Sequence, residues 1–546
     1  MKYGFVIDNR KCIGCHACTT ACKSEHDVPV GVFRTWVKQV EKGTFPNTRR
    51  VFSVLRCNHC TDAPCVEICP VEALYTRPDG IVDFNKDRCI GCKSCMQACP
   101  YDALYIDPDT HTAAKCNYCA HRVDVGLEPA CVVVCPEHAI VSGDMEDPNS
   151  EISQTLSRHQ TTVRKPEKAT IPNLYYIDGD AFSLSPSAAE QPDDQLWSAQ
   201  TRGVGHYAKH TERMAWQGDD IVKELLEKSA SVVDEPASGE FSPPKSIEVL
   251  TGHNNAKRVY NAPGKGVLWG WEVPAYVTTK AIATGAFLVP MLYLIVMRGR
   301  ELVWLTNLAA GIVTGIVFLI ATTVLLVKDL DQPKRFVYVL LRPQWKSWLV
   351  RGGYALTLYG GLLMLTGIAI LNGGNQYWNI VLTGSAYGTA VVAIIVAVYT
   401  AFLFAQARGR DFWQSPLLPV HMLVHAFAAG GAVFLLLEQL SFIDAAPFAG
   451  IVLIVSVIAN LLVVLAELTV PHPTADAKAV VKMILHGQYR QEFWTVVLAC
   501  NALPALALYL DPTNAITQVL AAVLVLWGIY RLEKIWIEAP QRIALA

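Results

Sequence analysis

The sequence predicts an α+β, cysteine-punctuated block followed by an all-α block of eight membrane-crossing helices, and three observations carry that prediction. Sixteen of the 17 cysteines lie before residue 136. From about residue 266 onward come eight apolar runs of roughly 20 residues, the length needed to cross a bilayer. Between the two, residues 147–265 shift in composition toward Ser, Pro, Asp, Glu and Lys.

The first block, residues 1–146, holds short strand-like pieces such as GIVDF (80–84) and ALYI (103–106) between turn signals such as PDG and DPDT. Its four cysteine groups begin at Cys12, Cys57, Cys89 and Cys116, an internal repeat that implies two related pairs of sites. The opening MKYGFVIDNRKCIGC has neither an apolar leader core nor a twin-arginine pair, so export by an N-terminal leader is not expected. Dense thiols in an unexported region favour metal over disulfides. The formal net charge of −2 gives no reason to expect nucleic acid as a partner.

Residues 147–265, with stretches such as SLSPSAAEQPDDQ and VVDEPASGEFSPPK, show few sustained apolar periods and read as an extended connector wrapping neighbouring subunits. The eight runs of the third block, 266–546, fall at about 271–297, 302–327, 347–371, 380–404, 417–438, 447–468, 491–510 and 514–533. Backbone polar groups in lipid are satisfied only in helices or closed barrels, and runs of this length without strand alternation select helices. Small-residue clusters such as AFAAGGA suit close helix packing. Eight spans put both ends on one side. The loops there carry Lys328, Lys334, Arg335, Arg342, Lys346, Arg408, Arg410, Lys478, Lys482 and Arg490, against Arg298 and Arg300 opposite. By the positive-inside rule the cysteine block faces the cytoplasm from a multi-pass inner (cytoplasmic) membrane protein.

The cysteines are spaced as metal ligands. Cys12, Cys15, Cys18 and Cys22 form C-x2-C-x2-C-x3-C, and Cys57, Cys60, Cys65 and Cys69 form C-x2-C-x4-C-x3-C-P. Cys89, Cys92, Cys95 and Cys99 repeat the first pattern with a following proline, and Cys116, Cys119, Cys131 and Cys135 form C-x2-C-x11-C-x3-C-P. In such runs three thiolates surround one cubane while the fourth reaches the other cluster of a pair, so sixteen thiolates account for four [4Fe-4S] clusters. Zinc also takes CxxC pairs but rarely repeats this run. Lys23, not proline, follows Cys22, a departure that removes no ligand.

CNHCTDAPCVEICP and CNYCAHRVDVGLEPACVVVCP resemble the four-cluster, ferredoxin-like electron-transfer subunits of the molybdopterin oxidoreductase (DMSO reductase) superfamily. That resemblance implies pairing of the first group with the fourth and of the second with the third. One cluster would then take Cys12, Cys15, Cys18 and Cys135, and the next Cys116, Cys119, Cys131 and Cys22. A third would take Cys57, Cys60, Cys65 and Cys99, and a fourth Cys89, Cys92, Cys95 and Cys69. WGWEVPAY and LLVKDLDQPKRFVYVLLRPQWKSWLVRGGYAL look like the NrfD/polysulfide reductase membrane subunit, which implies an eight-helix, quinone-reactive protein with no haem. The chain reads as a fusion of parts usually made separately.

The ionisable residues agree. Glu272, Tyr276 and Lys280 recur every four residues, on one face of the first helix. Asp329 ends the second run, His421 and His425 open the fifth, and Glu467 closes the sixth, so all seven gather in the half of the bundle nearer the cysteine block. Ionisable groups in a span are costly and point to function, and reducing a quinone (menaquinone or ubiquinone) takes two electrons and two protons. The bland readings are ion pairs and snorkelling for Glu272 and Lys280, helix capping for Asp329, and packing for the histidines. His421 and His425 lie one turn apart on one helix and cannot supply opposite axial haem ligands. Trp269 and Trp271 read as interfacial anchors, and Cys500 as core.

The expected function is an electron-transfer and quinone-reactive subunit serving a separate molybdopterin (Mo/W) catalytic subunit that acts on formate, sulfite or another reduced sulfur compound. No pterin domain, nucleotide fingerprint or nucleophile constellation is visible in this chain. The alternatives are a hydrogenase-type partner, a redox-driven proton-translocating module and a passive membrane anchor.

Overall fold

The computed structural model describes residues 1–44, 46–186, 188–189, 256–296, 301–373, 375–440 and 446–546. Most of the connector lies outside the described residues, as do Arg298 and Arg300. The chain divides into two compact units. One comprises Met1–Val66, Glu72–Leu268 and Ala544–Ala546, the other Glu67–Val71 and Trp269–Ile543.

The first unit is α+β. Strand Tyr3–Asp8 is central in a four-stranded sheet, antiparallel to Ile140–Asp144 and parallel to Leu174–Ile177, with Thr161–Thr162 at the edge. The strand is buried on both faces because its side chains alternate. Phe5 and Ile7 enter the core that contains Cys18 and Cys131, while Val6 packs on Ile152 and Ile177. Ile152 belongs to helix Glu151–Arg158, whose first turn is capped by the Ser150 side chain accepting from the Ser153 amide. A second, antiparallel sheet pairs Thr35–Thr44 with Asn47–Arg56 and with Ala256–Tyr260. Two short hairpins, Leu74–Thr76 with Val82–Phe84 and Leu104–Ile106 with Ala113–Lys115, stand where GIVDF and ALYI predicted strands.

Three strands, Thr161–Thr162, Leu174–Ile177 and Ala256–Tyr260, come from the stretch expected to be connector, so the fold does not divide at residue 146. Leu174–Ile177 pairs with Tyr3–Asp8 and Ala256–Tyr260 with Thr35–Thr44, partners far away in sequence, and strands two to five residues long carry no periodic signal of their own. The last residues of the chain also belong to this unit. Asn261 accepts from Trp36 Nε1 at 2.8 Å and donates to the Ala546 carbonyl at 3.0 Å.

The second unit is all-α. Eight helices among the described residues are long and apolar enough to span a membrane: Glu272–Val296, Glu301–Lys328, Trp348–Leu371, Gln376–Gln406, Leu418–Gln439, Ala446–Thr469, Arg490–Leu510 and Ala515–Gln541. Their outer faces expose Leu371, Ile380, Leu462, Tyr509, Leu510 and Ile516. That much apolar surface suits hydrocarbon, not water. The first span is the most enclosed and packs on the second, fourth, fifth and eighth. It crosses the fifth at Gly285 and Gly430, where a Cβ on either residue would overlap the backbone of the other helix. A π turn, Leu498–Ala502, interrupts the seventh span and holds Cys500 and Asn501 inward.

The eighth span departs from expectation. It continues to Gln541 instead of ending at 533, because the polar RLEK stretch sits within the helix. Arg531 Nε meets Glu492 Oε1 at 2.6 Å, and Lys534 and Glu538 form an i,i+4 pair at 3.9 Å. Trp269 is corrected as well: it is buried, stacked on Trp413 at 5.5 Å between ring centroids, while Trp271 beside it is exposed. A buried, stacked indole is packing, not an interfacial anchor.

Candidate functional site

Each cysteine group winds through a left-handed residue. Gly14 and His16 have φ of 71° and 62°, and Gly91 and Lys93 repeat them at 70° and 60°. His59 and Tyr118 take the corresponding sharp turns at 43° and 63°. Backbone in this region is uncommon for residues other than glycine, and here it turns successive thiols toward a common centre. A short helix follows every turn: Ala17–Glu25, Pro64–Ile68, Ser94–Ala98 and Ala130–Val133. Each begins at or beside the third cysteine of its group and carries the chain one turn on to the fourth, which is displaced about 6 Å along the axis from the third.

All sixteen cysteines are free of disulfides. Cys12, Cys15, Cys18 and Cys135 line one cavity with Val37, Val54 and Ile140. Cys22 is instead under the electrostatic influence of Cys116 and Cys131, and Cys65 under that of Cys99, Cys57 and Cys60. Burial pushes the Cys18 and Cys119 thiols up to about 12. Thiols so placed stay neutral in water, whereas a coordinated metal deprotonates them outright. The guanidinium of Arg56 is buried among them, with Nη1 donating to Cys131 Sγ at 3.0 Å, while Nε and Nη2 meet no acceptor among the described residues. A cation with idle donors amid thiols fits a thiolate-bound cluster, whose sulfurs are negative and accept hydrogen bonds.

In the second unit, the structure buries five of the seven predicted ionisable residues, Tyr276, Lys280, His421, His425 and Glu467. His421 and His425, one turn apart on the fifth span, are buried. His421 Nδ1 lies 2.8 Å from Glu467 Oε2, and His425 Nδ1 lies 2.8 Å from Glu533 Oε1. Glu533 also stands 4.0 Å from His421 Nε2, and Trp536 Nε1 donates to Glu467 Oε2 at 3.0 Å. His425 Nε2 continues to Asn460 Oδ1 at 3.0 Å, and Asn460 to Asn501 at 3.4 Å. Lys280, 1% exposed, donates to the Thr400 hydroxyl, lies over the Tyr399 ring at 4.7 Å, and is near enough to Glu533 for the two charges to interact.

Tyr276 is buried one turn away from Lys280. Glu272 and Asp329 stay at the rim, where Glu272 is half-buried and 3.9 Å from Lys328 Nζ. Glu533, Asn460, Asn501, Thr400 and Trp536 were missed from sequence. Glu533 was hidden by truncation of the eighth run. Asn460, seven residues ahead of Glu467 in an otherwise apolar run, was the signal that could have been read. Two imidazoles and the Glu533 carboxylate lie close enough together to hold a metal ion, but each histidine already has a carboxylate partner. The arrangement is a hydrogen-bonded lattice of buried titratable groups.

Residues 260–541 match the family model for polysulphide reductase, NrfD, and residues 5–70 and 49–145 match two models of 4Fe-4S dicluster domains. The B subunit of tetrathionate reductase from Salmonella typhimurium is 43% identical over 201 residues, which are 36% of this chain and 80% of that protein. The B component of polysulfide reductase from Wolinella succinogenes is 44% identical over 181 residues, 32% of this chain and 94% of that protein. Protein NrfC of Escherichia coli is 43% identical over 180 residues, 32% of this chain and 81% of that protein. With more than half of its residues in one family model and an iron-sulfur module like that of these relatives ahead of it, the protein belongs to the NrfD polysulphide reductase family, as a fusion with a dicluster iron-sulfur subunit.

Proposed function

We propose that this chain is the electron-transfer and quinone-reactive subunit of a membrane-bound respiratory oxidoreductase, working between a separate molybdopterin (Mo/W) catalytic subunit and the quinone pool. The observation that carries the reading is the coexistence of sixteen cysteines without disulfides, four of which line one cavity, with a buried ionisable lattice in the membrane unit. The relatives' names, reductases of tetrathionate and polysulfide, favour a sulfur compound as the partner's substrate, with formate and sulfite as the other candidates.

Cys12, Cys15, Cys18 and Cys135 would hold one cluster, Cys22, Cys116, Cys119 and Cys131 a second, Cys57, Cys60, Cys65 and Cys99 a third, and Cys69, Cys89, Cys92 and Cys95 a fourth. Iron-sulfur clusters bound there supply one-electron transfer in single steps. Lys280 uses its free N–H donors to polarise a quinone carbonyl, with Tyr276 beside it, while Glu533, His425, His421 and Glu467 deliver or collect the protons. Glu272 and Asp329 serve at the rim, where protons enter.

The lattice favours a one-sided proton feed over translocation. It ends at Asn460 and Asn501, and beyond it the bundle is filled by Ala432, Leu435, Leu453, Ala505, Leu508 and Val525. Gln439, hydrogen-bonded to Gln518, lies fourteen residues past His425 on the same helix, about 21 Å at 1.5 Å per residue. Along this helix, apolar packing over most of that distance leaves no hydrogen-bonded chain from Asn460 and Asn501 to Gln439 among the described residues. The loop charges support a cysteine block and proton entry on the cytoplasmic side.

The test is purification of the native complex in mild detergent, with identification of its large subunit and metal. Molybdenum or tungsten in a pterin enzyme is the expected result, and a nickel-iron partner would replace the reading with a hydrogenase. In the same preparation Lys280→Leu should slow quinone turnover while leaving the EPR-visible clusters intact, and unchanged turnover would remove Lys280 from the site.

A further inference from the structure

The guanidinium of Arg56 is fully buried in the cysteine unit and is only partly satisfied. It ends the strand Asn47–Arg56, and Val54, two residues earlier on the same face, lines the cavity of Cys12, Cys15, Cys18 and Cys135. From there the side chain passes over the Phe5 ring, at 4.6 Å, and donates through Nη1 to Cys131 Sγ at 3.0 Å. Its charge acts on Cys18 as well as on Cys116 and Cys131, so it lies between two thiol sets and not within one. Nε and Nη2 remain without acceptors among the described residues. The other buried cation near the cysteines, Lys115, is used differently: it donates to the carbonyls of Val82 and Cys116, which satisfies it structurally. A buried guanidinium is costly unless its surroundings are negative, and no carboxylate contacts Arg56 among the described residues.

We infer that Arg56 is a redox-tuning residue shared by two clusters, those of Cys12/Cys15/Cys18/Cys135 and Cys22/Cys116/Cys119/Cys131, and that it raises both reduction potentials. The inference rests on the ligand sets proposed above. Each reduction adds one electron to a cluster, with no bond made or broken and no proton taken up, so the negative charge beside the guanidinium grows by one unit. A fixed positive charge and N–H···S hydrogen bonds favour that more negative state, and both are known levers on cluster potential. Because the charge is shared, the two potentials move together when it is removed, and the step between them changes little.

The experiment is a potentiometric EPR titration of the intact complex carrying Arg56→Met, which keeps volume and removes charge. The iron and acid-labile sulfide content of the unmodified protein is measured first. A content below four clusters per chain defeats the ligand assignment itself, separately from the role of Arg56. With four clusters present, the expected result is a tenfold or greater loss in the reduction equilibrium of two clusters, 59 mV per tenfold for one electron, with the other two unmoved. Unchanged potentials, or an equal shift in all four, would overturn the inference. Should the methionine variant fail to assemble, Arg56→Lys carries the test. It keeps the charge but not the fork of donors, so the same two clusters must shift downward by less than tenfold, and no shift refutes the role.

Discussion

Replacing Glu533 by glutamine probes the membrane lattice at its centre. The carboxylate is 2% exposed, lies 2.8 Å from His425 Nδ1 and stands 4.0 Å from His421 Nε2. The amide preserves shape and an acceptor for His425 but deletes the charge that balances Lys280 and any proton resting on the histidine pair. Unit charges 4 Å apart at an effective dielectric of about 20 interact by about 4 kcal/mol, in line with the roughly 3–5 kcal/mol lost when one partner of a buried pair is removed. If about 2.7 kcal/mol of this is expressed in the proton-transfer barrier, turnover falls about a hundredfold, the lower end of what a positioned acid or base contributes. The assay is oxidation or reduction of a short-chain quinone analogue by the detergent-solubilised complex, normalised to EPR-quantified clusters. Glu533→Asp should recover part of the rate. A Glu533→Gln enzyme within twofold of the parent, with its clusters intact, would refute the lattice as a proton route.

The same structure makes three further claims open to measurement. Gly285→Ala forces the first and fifth spans apart, because the added methyl meets the Ala426 backbone, and overpacking of this kind costs about 1–3 kcal/mol or more. The thermal midpoint in detergent should drop, while Gly361→Ala, inside a helix and with nothing within 4 Å of the added Cβ, should hold or raise it. Glu272→Gln should cost far less turnover than Lys280→Leu, since a half-buried pair at 3.9 Å is worth about 0–1 kcal/mol; equal losses would move the site outward to the rim. For orientation, Ala475→Cys should react with a membrane-impermeant maleimide only in inside-out vesicles and Asn372→Cys only in right-side-out ones, and the reverse pattern would invert the assignment.

The eight spans were legible because twenty apolar residues leave the backbone no alternative in lipid, and the cysteine repeat was legible because ligand spacing is fixed by the turn that brings thiols together. What escaped was set by distant partners. Leu174–Ile177 is a strand because it lies beside Tyr3–Asp8, more than 160 residues earlier, and β-propensity expresses such neighbours more than it does the segment itself. Glu533 falls at the edge of the eighth apolar run, where the polar RLEK stretch breaks the apolar pattern. Arg531 and Lys534, paired with Glu492 and Glu538, carry the helix onward and leave Glu533 facing the interior. Arg56 gave no signal at all, since one arginine at a strand end is ordinary until its surroundings are known.

The stripe Glu272, Tyr276 and Lys280 shows how a sequence pattern and a structure divide the work. Spacing alone gives the three residues one face and equal claim to a substrate. Burial separates them by depth: Glu272 remains half-buried beside Lys328, Tyr276 is enclosed, and Lys280 is sealed in with one hydroxyl and one aromatic face for company. An ammonium has three donors, and Thr400 accepts one of them. Were Lys280 purely structural, its remaining donors would be turned to backbone carbonyls, as those of Lys115 are in the other unit. A lysine held dry, with donors to spare and a carboxylate within electrostatic reach, suits an uncharged carbonyl ligand whose oxygens become basic as electrons arrive. Within the proposed function, that assigns the carbonyl contact to Lys280 and leaves Glu272 the outermost proton carrier.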